Sequence, residues 1–204
     1  KFTFTFEGEE NLHQMVSAGK GGVLIGAHMG NWEMAGQLLE RVSSAMNIVM
    51  LEAEHRQIDQ YLKEVLVKKN IRIIGIKEDL SHLIEIGNAL KRNEMVAIHG
   101  DRFLPGAGSV TVDFMGRPAP FPTGPLYMAS KFGVPVSYVV TVKERKTHYH
   151  FYATPGKVYP YPSKLTTRKE EMKQMVQEYA SVIEKRLKQY PLQWFNYYQF
   201  WEKS

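Results

Sequence analysis

The sequence predicts a three-layer α/β domain in which helices cover both faces of a mixed, mostly parallel sheet. In the first half of the chain, short apolar runs rich in β-branched residues alternate with segments of helical periodicity, a pattern typical of parallel βαβ units. Two strand-like segments later follow each other around Arg145–Lys146, and such a hairpin makes the sheet mixed. The 204 residues suffice for a sizeable core, so we expect residues 1–204 to form a single domain.

The first half of the chain contains the predicted βα units. The run GGVLIGA is short, apolar and β-branched, as a buried strand requires, and the next segment carries apolar residues at helical spacing, including Trp32, Leu39 and Val42. The predicted strands cover 21–27, 47–53, 71–76 and 94–100, and the predicted helices cover 32–42, 56–69 and 80–92.

The second half begins with residues 100–125, which are rich in Gly and Pro and predict a long functional loop. A short helix over 126–133, the hairpin over 134–145 and 147–154, and a long helix over 166–190 follow. Thr167 and Glu170 fit a capping box at the start of the long helix. The apolar stripe of this helix consists of Met172, Met175, Val176, Tyr179, Val182, Ile183, Leu187 and Tyr190.

Composition excludes several classes of protein. The chain has no Cys, which rules out disulfides, thiolate metal sites and a cysteine nucleophile, and no apolar run reaches the roughly 18 residues of a membrane-spanning helix. The net charge of +5 favours anionic partners such as lipid headgroups, phosphorylated substrates, acidic carrier proteins or nucleic acid, although a solvated lysine-rich surface explains it equally well. The start, KFTFTFEGEE, has neither a signal-peptide pattern nor an initiator Met, so we expect a fragment that lacks an N-terminal anchor.

His28 and Glu33 form the first candidate pair for catalysis. On one helix they would point about 140° apart, and on one strand they would face opposite sides. They can meet only if the chain turns between them, which Gly30 and Asn31 allow. His28 would then end a strand and Glu33 would begin a helix, at the edge of an α/β sheet where ligands bind.

This pair would support general-base activation of a substrate hydroxyl or amine. The histidine takes the proton, and a carboxylate on its other ring nitrogen fixes the tautomer and stabilises the imidazolium. No serine or cysteine nucleophile is needed when the acceptor substrate is itself the nucleophile. On spacing alone, a structural histidine packed at a strand end is the favoured interpretation.

Three blocks in the same order resemble a known family. GAHMGNWE (26–33) is similar to the His-x4-acid block of the glycerolipid and lipid A acyltransferase superfamily, in its Glu form. More narrowly, the segments 95–136 and YPLQWFNYYQFW (190–201, here the closing segment) resemble the bacterial lipid A lauroyl and myristoyl transferases. The chain departs from many of these relatives at Arg102, where they carry Gln, and in its aromatic rather than basic ending.

The resemblance implies a three-layer glycerolipid-acyltransferase-like fold and acyl transfer from an acyl-thioester. The donor would be acyl carrier protein or acyl-CoA, and the acceptor a membrane lipid such as a lipid A precursor, another glycolipid or an aminolipid. His28 would be the general base and Glu33 its orienting partner. The enzyme would act at the cytoplasmic face of the bacterial inner membrane, with no cofactor, no metal and no nucleic acid.

Five further residues are candidates for substrate binding: Asp101, Arg102, Arg117, Thr123 and Gly124. An arginine in a Gly/Pro-rich loop can bind phosphate or carboxylate through two hydrogen bonds. A solvated loop residue explains Arg117 equally well, but it explains Arg102 less well, because Arg102 closely follows a predicted strand end. Asp101 could orient Arg102 or cap the loop. Thr123 and Gly124 could supply donors for the thioester oxyanion at a helix start.

The remaining histidines and aromatic residues can be explained without a catalytic role. No histidine spacing predicts a metal site, and His99, at a strand end near Asp101, could support the pocket. The aromatic closing segment predicts either core packing or a surface that touches lipid. Two other classes stay open: a phosphate- or nucleotide-binding α/β domain, although no glycine-rich phosphate motif follows a strand, and a non-catalytic membrane-associated protein.

Overall fold

A computed structural model of the chain describes residues 2–31, 41–42, 44–51, 70–77, 79–102, 107–197 and 199–201. The predicted helix over 56–69 and nearly all of that over 32–42, including Glu33, lie outside the described residues. No helix within the described ranges is both long and apolar enough to cross a bilayer.

The described strands form a seven-stranded mixed sheet and a separate two-stranded ribbon. The strands are β1 Thr3–Glu7, β2 Gly22–Gly26, β3 Met46–Leu51, β4 Ile71–Ile76, β5 Met95–His99, β6 Ser109–Phe114, β7 Arg117–Pro122, β8 Val136–Arg145 and β9 His148–Ala153. The sheet has the order β1-β9-β8-β2-β5-β3-β4, and β8, β2, β5, β3 and β4 run parallel to one another. β9 is antiparallel to β8, and β1 is parallel to β9, which confirms the predicted mixed, mostly parallel sheet.

Helices pack on both faces of this sheet, as predicted. The described helices are α1 Glu9–Ser17, α2 Ser81–Lys91, α3 Gly124–Phe132 and α4 Arg168–Gln189. The side chains of β2 alternate between the two faces, because Val23 and Ile25 join the core below α2, α3 and α4 while Leu24 joins the core below α1. The predicted apolar stripe of α4 is confirmed, since most of its members are fully buried.

Two central strands end side by side, and their order creates the site. β2 and β5 are adjacent, and Gly26 pairs with His99 in their register. From β2 the chain continues to β3, beyond β5, whereas from β5 it continues to β8, beyond β2. The connections therefore leave in opposite directions, which in open α/β sheets opens a ligand-binding crevice at the carboxyl ends of the strands. We call this end of the sheet the carboxyl edge.

The prediction of a long loop over 100–125 is wrong for most of these residues. Residues 109–114 and 117–122 pair as an antiparallel ribbon, β6–β7. β6 alternates exposed and buried side chains along its whole length, which is the period of a half-buried strand. Three prolines in β7 conceal the pairing, since proline is confined to strands with one unpaired side, such as those of a two-stranded ribbon.

Smaller differences concern caps and the amino-terminal elements. Thr167 does precede α4, but its side chain makes no capping hydrogen bond, so the predicted capping box is not formed. The β8–β9 turn lies at Lys146–Thr147, one residue later than predicted. β1 and α1 are absent from the sequence-based prediction, although the strict alternation of TFTFE is typical of a half-buried strand.

Candidate active site

His28 and Asp101 form a hydrogen-bonded pair at the carboxyl edge, each two residues beyond the end of its strand. The Asp101 carboxylate accepts hydrogen bonds from His28 Nδ1 to Oδ1 and from the His28 backbone N–H to Oδ2, both at 2.8 Å. The side chain of Asp101 is fully buried (0% exposed), whereas that of His28 is 12% exposed. Because one carboxylate holds both the ring and the backbone of His28, the orientation of the imidazole is fixed.

Trp194 supplies another donor to the same carboxylate. Its indole Nε1–H donates to Asp101 Oδ2 at 3.0 Å. Burial raises the pKa of the Asp101 carboxyl, but the hydrogen bond and charge of His28, together with His99 and Trp194, outweigh burial and hold that pKa below its usual range. Asp101 is therefore an anion at neutral pH, and the proton of the pair lies on His28 Nδ1.

The imidazole of His99 packs against that of His28. Their ring centroids are 4.3 Å apart with an interplanar angle of 30°. Burial, assisted by the nearby His28 and Arg102, lowers the pKa of His99 to about 4. His99 is thus neutral at neutral pH. It supports the site through packing and through a hydrogen bond with the Ala27 backbone, the supporting role considered above for a histidine at this strand end.

This arrangement prepares His28 to act as a general base. With Nδ1 bonded to an anionic carboxylate, Nε2 is the atom of the neutral tautomer that carries the lone pair. A proton taken up there creates an imidazolium that the buried Asp101 stabilises, which is how a histidine–carboxylate pair functions in hydrolases.

The turn that carries His28 is bonded to the closing segment. We call residues 27–31 the catalytic turn. Phe195 N–H donates to the His28 carbonyl at 2.8 Å, and Gly30 N–H donates to the Gln193 carbonyl at 2.7 Å. The closing segment, predicted either as core or as a lipid-contacting surface, therefore includes backbone that directly holds the catalytic turn.

The predicted binding residues separate into two groups. Asp101 and Arg102 lie with His28, and Arg102 Nη2 donates to the Phe195 carbonyl at 2.7 Å, so Arg102 is joined to the same segment that bonds the catalytic turn. Arg117, by contrast, is exposed at the start of β7, where its guanidinium lies 5.8 Å from the centroid of the Trp201 ring.

Thr123 and Gly124 lie at the start of α3. The Thr123 hydroxyl and backbone N–H both donate to the Gly108 carbonyl at 3.0 Å, and Gly124 is the first helical residue. These bonds tie the start of α3 to the segment before β6 and not to His28, so the contact of Thr123 and Gly124 with a thioester oxygen stays a prediction.

Asp101 has a contact that the sequence did not predict. The predicted partner of His28 is Glu33, which lies outside the described residues, whereas Asp101 occupies the Nδ1 position from 73 residues away. One signal was available, since both His28 and Asp101 closely follow predicted strands. The sequence pattern does not show that these two strands, β2 and β5, are neighbours in the sheet.

The same residues could in principle ligate a metal ion. One ligand atom each of His28, His99 and Asp101 lies within 4.8 Å of the others, and two imidazoles with a carboxylate suit several transition metals. However, both Asp101 oxygens already accept hydrogen bonds from His28, and Oδ2 also accepts one from Trp194. A cation would have to compete with these bonds, so the hydrogen-bonded pair is the chemistry that this donor set favours.

Comparisons with known proteins agree with this fold and indicate a family. The family model described as bacterial lipid A biosynthesis acyltransferase matches residues 1–203. Phosphatidylinositol mannoside acyltransferases from two strains of Mycobacterium tuberculosis are 28% identical over 127 residues, which is 62% of this chain and 40% of each mycobacterial protein. The crystal structure of the 1-acyl-sn-glycerophosphate acyltransferase PlsC from Thermotoga maritima superposes with a TM-score of 0.53 and 17% identity, over 92% of this chain and 73% of that one, so the likeness concerns the fold.

Proposed function

Since the chain belongs to the bacterial lipid A biosynthesis acyltransferase family, we propose that it transfers a fatty acyl group from an acyl-thioester to a hydroxyl or amine of a membrane lipid. The observation that carries this proposal is the 2.8 Å hydrogen bond between His28 Nδ1 and the buried Asp101, because it prepares His28 as a base. The match spans 40% of the length of the mycobacterial relatives, and the activity of the whole protein is accordingly part of the proposal.

The chemical step follows from the geometry of this pair. His28 Nε2 removes the proton from the acceptor hydroxyl or amine as the acceptor oxygen or nitrogen attacks the thioester carbonyl. Asp101 stabilises the imidazolium that forms. The C–S bond then breaks, and the imidazolium returns its proton to the leaving thiolate, so that acyl-lipid and free thiol are the products and the enzyme is unchanged.

The proposed acceptor is a glycolipid or aminolipid, with a lipid A precursor as the first candidate. The family description supports this class, and the mycobacterial relatives are named for a mannosylated phospholipid acceptor. Arg102 and Arg117 would bind phosphate or carboxylate groups of the substrates, and backbone donors at Thr123 and Gly124 would face the thioester oxyanion. The proposed donor is acyl carrier protein, with acyl-CoA as the alternative.

The proposed location is the cytoplasmic face of the bacterial inner membrane. Support comes from the tip of the β8–β9 hairpin, where Lys143, Arg145 and Lys146 are exposed. Two large apolar side chains are also highly exposed nearby, Phe2 at 52% and Leu192 at 92%. Cations combined with exposed apolar side chains suit a surface of anionic lipid.

The test compares three variants: His28→Gln, Asp101→Asn and Glu33→Gln. Purified protein would be incubated with acyl-carrier-protein thioester and candidate lipids, and the acyl-lipid would be measured by mass spectrometry. We expect His28→Gln to lower kcat by about 10²- to 10⁴-fold, and Asp101→Asn to lower it comparably, because a neutral amide does not stabilise the imidazolium.

Two further comparisons separate the role of Asp101 from that of Glu33: a His28/Asp101 double variant and the single variant Glu33→Gln. Because His28 and Asp101 act as a unit, the double variant should be little worse than either single variant. A large loss in Glu33→Gln would show that transfer also requires Glu33, whereas near-native transfer would leave the orienting role to Asp101 alone. Near-native transfer by folded His28→Gln would show that His28 is not the base.

A further inference from the structure

We propose that Gln193 and Trp194 of the closing segment are positioning residues that hold the His28–Asp101 pair in its reactive geometry. The inference rests on the proposed function, since it concerns the same pair, and it assigns a role to a segment that was predicted as packing or lipid contact. Each residue acts through another residue rather than on the substrate.

Trp194 acts on the carboxylate. Its indole N–H donates to Asp101 Oδ2, the oxygen that also accepts the backbone N–H of His28. The indole ring is held by aromatic neighbours, with ring centroids 5.4 Å away for Phe114 and 4.9 Å away for Phe200. The packing fixes the direction of the N–H bond, and the N–H bond in turn fixes the carboxylate plane.

Gln193 acts on the backbone of the catalytic turn. Its side chain binds both backbone groups of Lys143, with Nε2 donating to the carbonyl at 2.8 Å and Oε1 accepting from the N–H at 2.7 Å. Its own carbonyl accepts the Gly30 N–H. Gln193 therefore ties the catalytic turn to β8, two residues beyond His28.

These contacts locate the His28 base from three sides. Asp101 holds the ring, Trp194 holds Asp101, and the closing-segment backbone holds the turn at the His28 carbonyl and at Gly30. A displacement of about 1 Å of a reacting group can lower the rate about 10²-fold. Loosening either attachment should therefore reduce turnover while leaving substrate affinity and the fold in place.

The first test removes only the indole N–H. Trp194→Phe keeps an aromatic ring in the pocket but loses the donor to Asp101. We expect kcat to fall about 10- to 100-fold with KM unchanged. Trp201→Phe is the control, because Trp201 Nε1 donates to the Phe114 carbonyl at 3.4 Å and not to the pair, and it should keep the wild-type kcat.

The second test uses a matched pair of glutamines. Gln177 binds both backbone groups of Asp113, at 2.9 and 2.8 Å, just as Gln193 binds Lys143, but Gln177 contacts the β6–β7 ribbon. Gln193→Met and Gln177→Met each lose two such hydrogen bonds at nearly constant volume. We expect only Gln193→Met to lower kcat, although both should unfold at similarly reduced denaturant concentration.

A spectroscopic readout makes the positioning role measurable without turnover. The proton shared by His28 Nδ1 and Asp101 should give a low-field ¹H NMR signal that is absent in His28→Gln. Trp194→Phe and Gln193→Met should shift or broaden this signal, and Trp201→Phe and Gln177→Met should leave it unchanged. If the wild type shows the signal but transfers no acyl group from any thioester donor, the proposed function fails while the positioning role is still decided by the variants.

The positioning role is overturned if both folded variants, Trp194→Phe and Gln193→Met, keep the wild-type signal and kcat, or if the control variants change them equally. Should Gln193→Met fail to fold, Trp194→Phe decides alone, because a phenyl ring preserves most of the buried packing.

Discussion

The imidazole of His28 lies between an anionic side chain and a neutral one. Asp101 is a buried anion that favours the protonated imidazole, whereas His99, with its tilted ring centred 4.3 Å away, would oppose protonation if it were charged. Burial lowers the pKa of His99 to about 4, so His99 is neutral whenever the enzyme would work near neutral pH. In the proposed mechanism, His28 therefore takes up a proton without repulsion from its nearest ring.

The lowered pKa of His99 predicts a pH-dependent stability. The unfolded chain binds a proton at His99 near the usual pKa of 6.5, but the folded chain does so only near 4. The free energy of unfolding should thus fall as the pH drops from 6.5 to 4, by up to about 3 kcal/mol from this residue. Denaturant unfolding of wild type and His99→Gln over this range should give a difference that shrinks or reverses with acidification. Parallel curves would contradict the assignment.

At the level of residues, the sequence predicts the candidate base but not its observed partner. His28 follows from a strand, a turn and a motif that lie within a few positions. Asp101 is a candidate from the sequence too, but for substrate binding, because its contact with His28 spans 73 residues and requires that β2 and β5 be neighbours. Strand order is set by tertiary packing, and no local pattern encodes it.

The catalytic turn is the element on which the site depends most. It leaves β2, presents His28 and passes Gly30 in the left-handed region with φ of 64°, directly against β8. A Cβ built on Gly30 would overlap the carbonyl of Thr141. Glycine is therefore required both by conformation and by the close approach of two backbones.

Gly30→Ala should consequently destabilise the protein by more than about 3 kcal/mol, or displace the turn and abolish turnover. Gly116→Ala separates the two causes, because Gly116 also has a positive φ of 76°, but a Cβ at this position would meet nothing within 4 Å. That control should cost only about 1–2 kcal/mol. Equal losses in urea unfolding would show that backbone conformation alone, without the clash, accounts for the requirement at Gly30.

At the level of elements, periodicity succeeds where a segment has one strong pattern. The parallel strands and α4 agree with their predictions to within a few residues because burial on both faces or along one stripe leaves a clear signal. The β6–β7 ribbon escapes prediction because Pro118, Pro120 and Pro122 argue against a strand, although the alternation in β6 is visible.

The whole molecule is asymmetric between the two ends of its sheet. Ile25 of β2 pairs with Tyr138 of β8. β2 ends one residue after Ile25, whereas β8 continues to Arg145, roughly 20 Å beyond Tyr138. The β8–β9 hairpin thus projects past the site at the carboxyl edge. α4 ends beside the closing segment at the carboxyl edge, so its first residues lie toward the opposite edge, roughly 30 Å from its end.

This asymmetry predicts which charges contact a membrane. Replacing Lys143, Arg145 and Lys146 with Ala removes three exposed cations from the hairpin tip. Since each basic residue at an anionic surface contributes about 1 kcal/mol, binding to vesicles of phosphatidylethanolamine with about one-third phosphatidylglycerol should weaken about 100-fold. Sedimentation of protein with these vesicles, and with neutral vesicles for comparison, measures the effect.

The matched control removes the same charge from the opposite end. Lys164, Lys169 and Lys173 are exposed around the start of α4, and replacing them with Ala leaves the same net charge as the hairpin variant. If only the hairpin variant loses vesicle binding, orientation and not total charge determines contact, and the carboxyl edge with His28 faces the lipid. Equal losses of vesicle binding in the two variants would contradict a membrane role for the hairpin. The same conclusion would follow if the hairpin variant kept its vesicle binding but lost binding of acyl carrier protein.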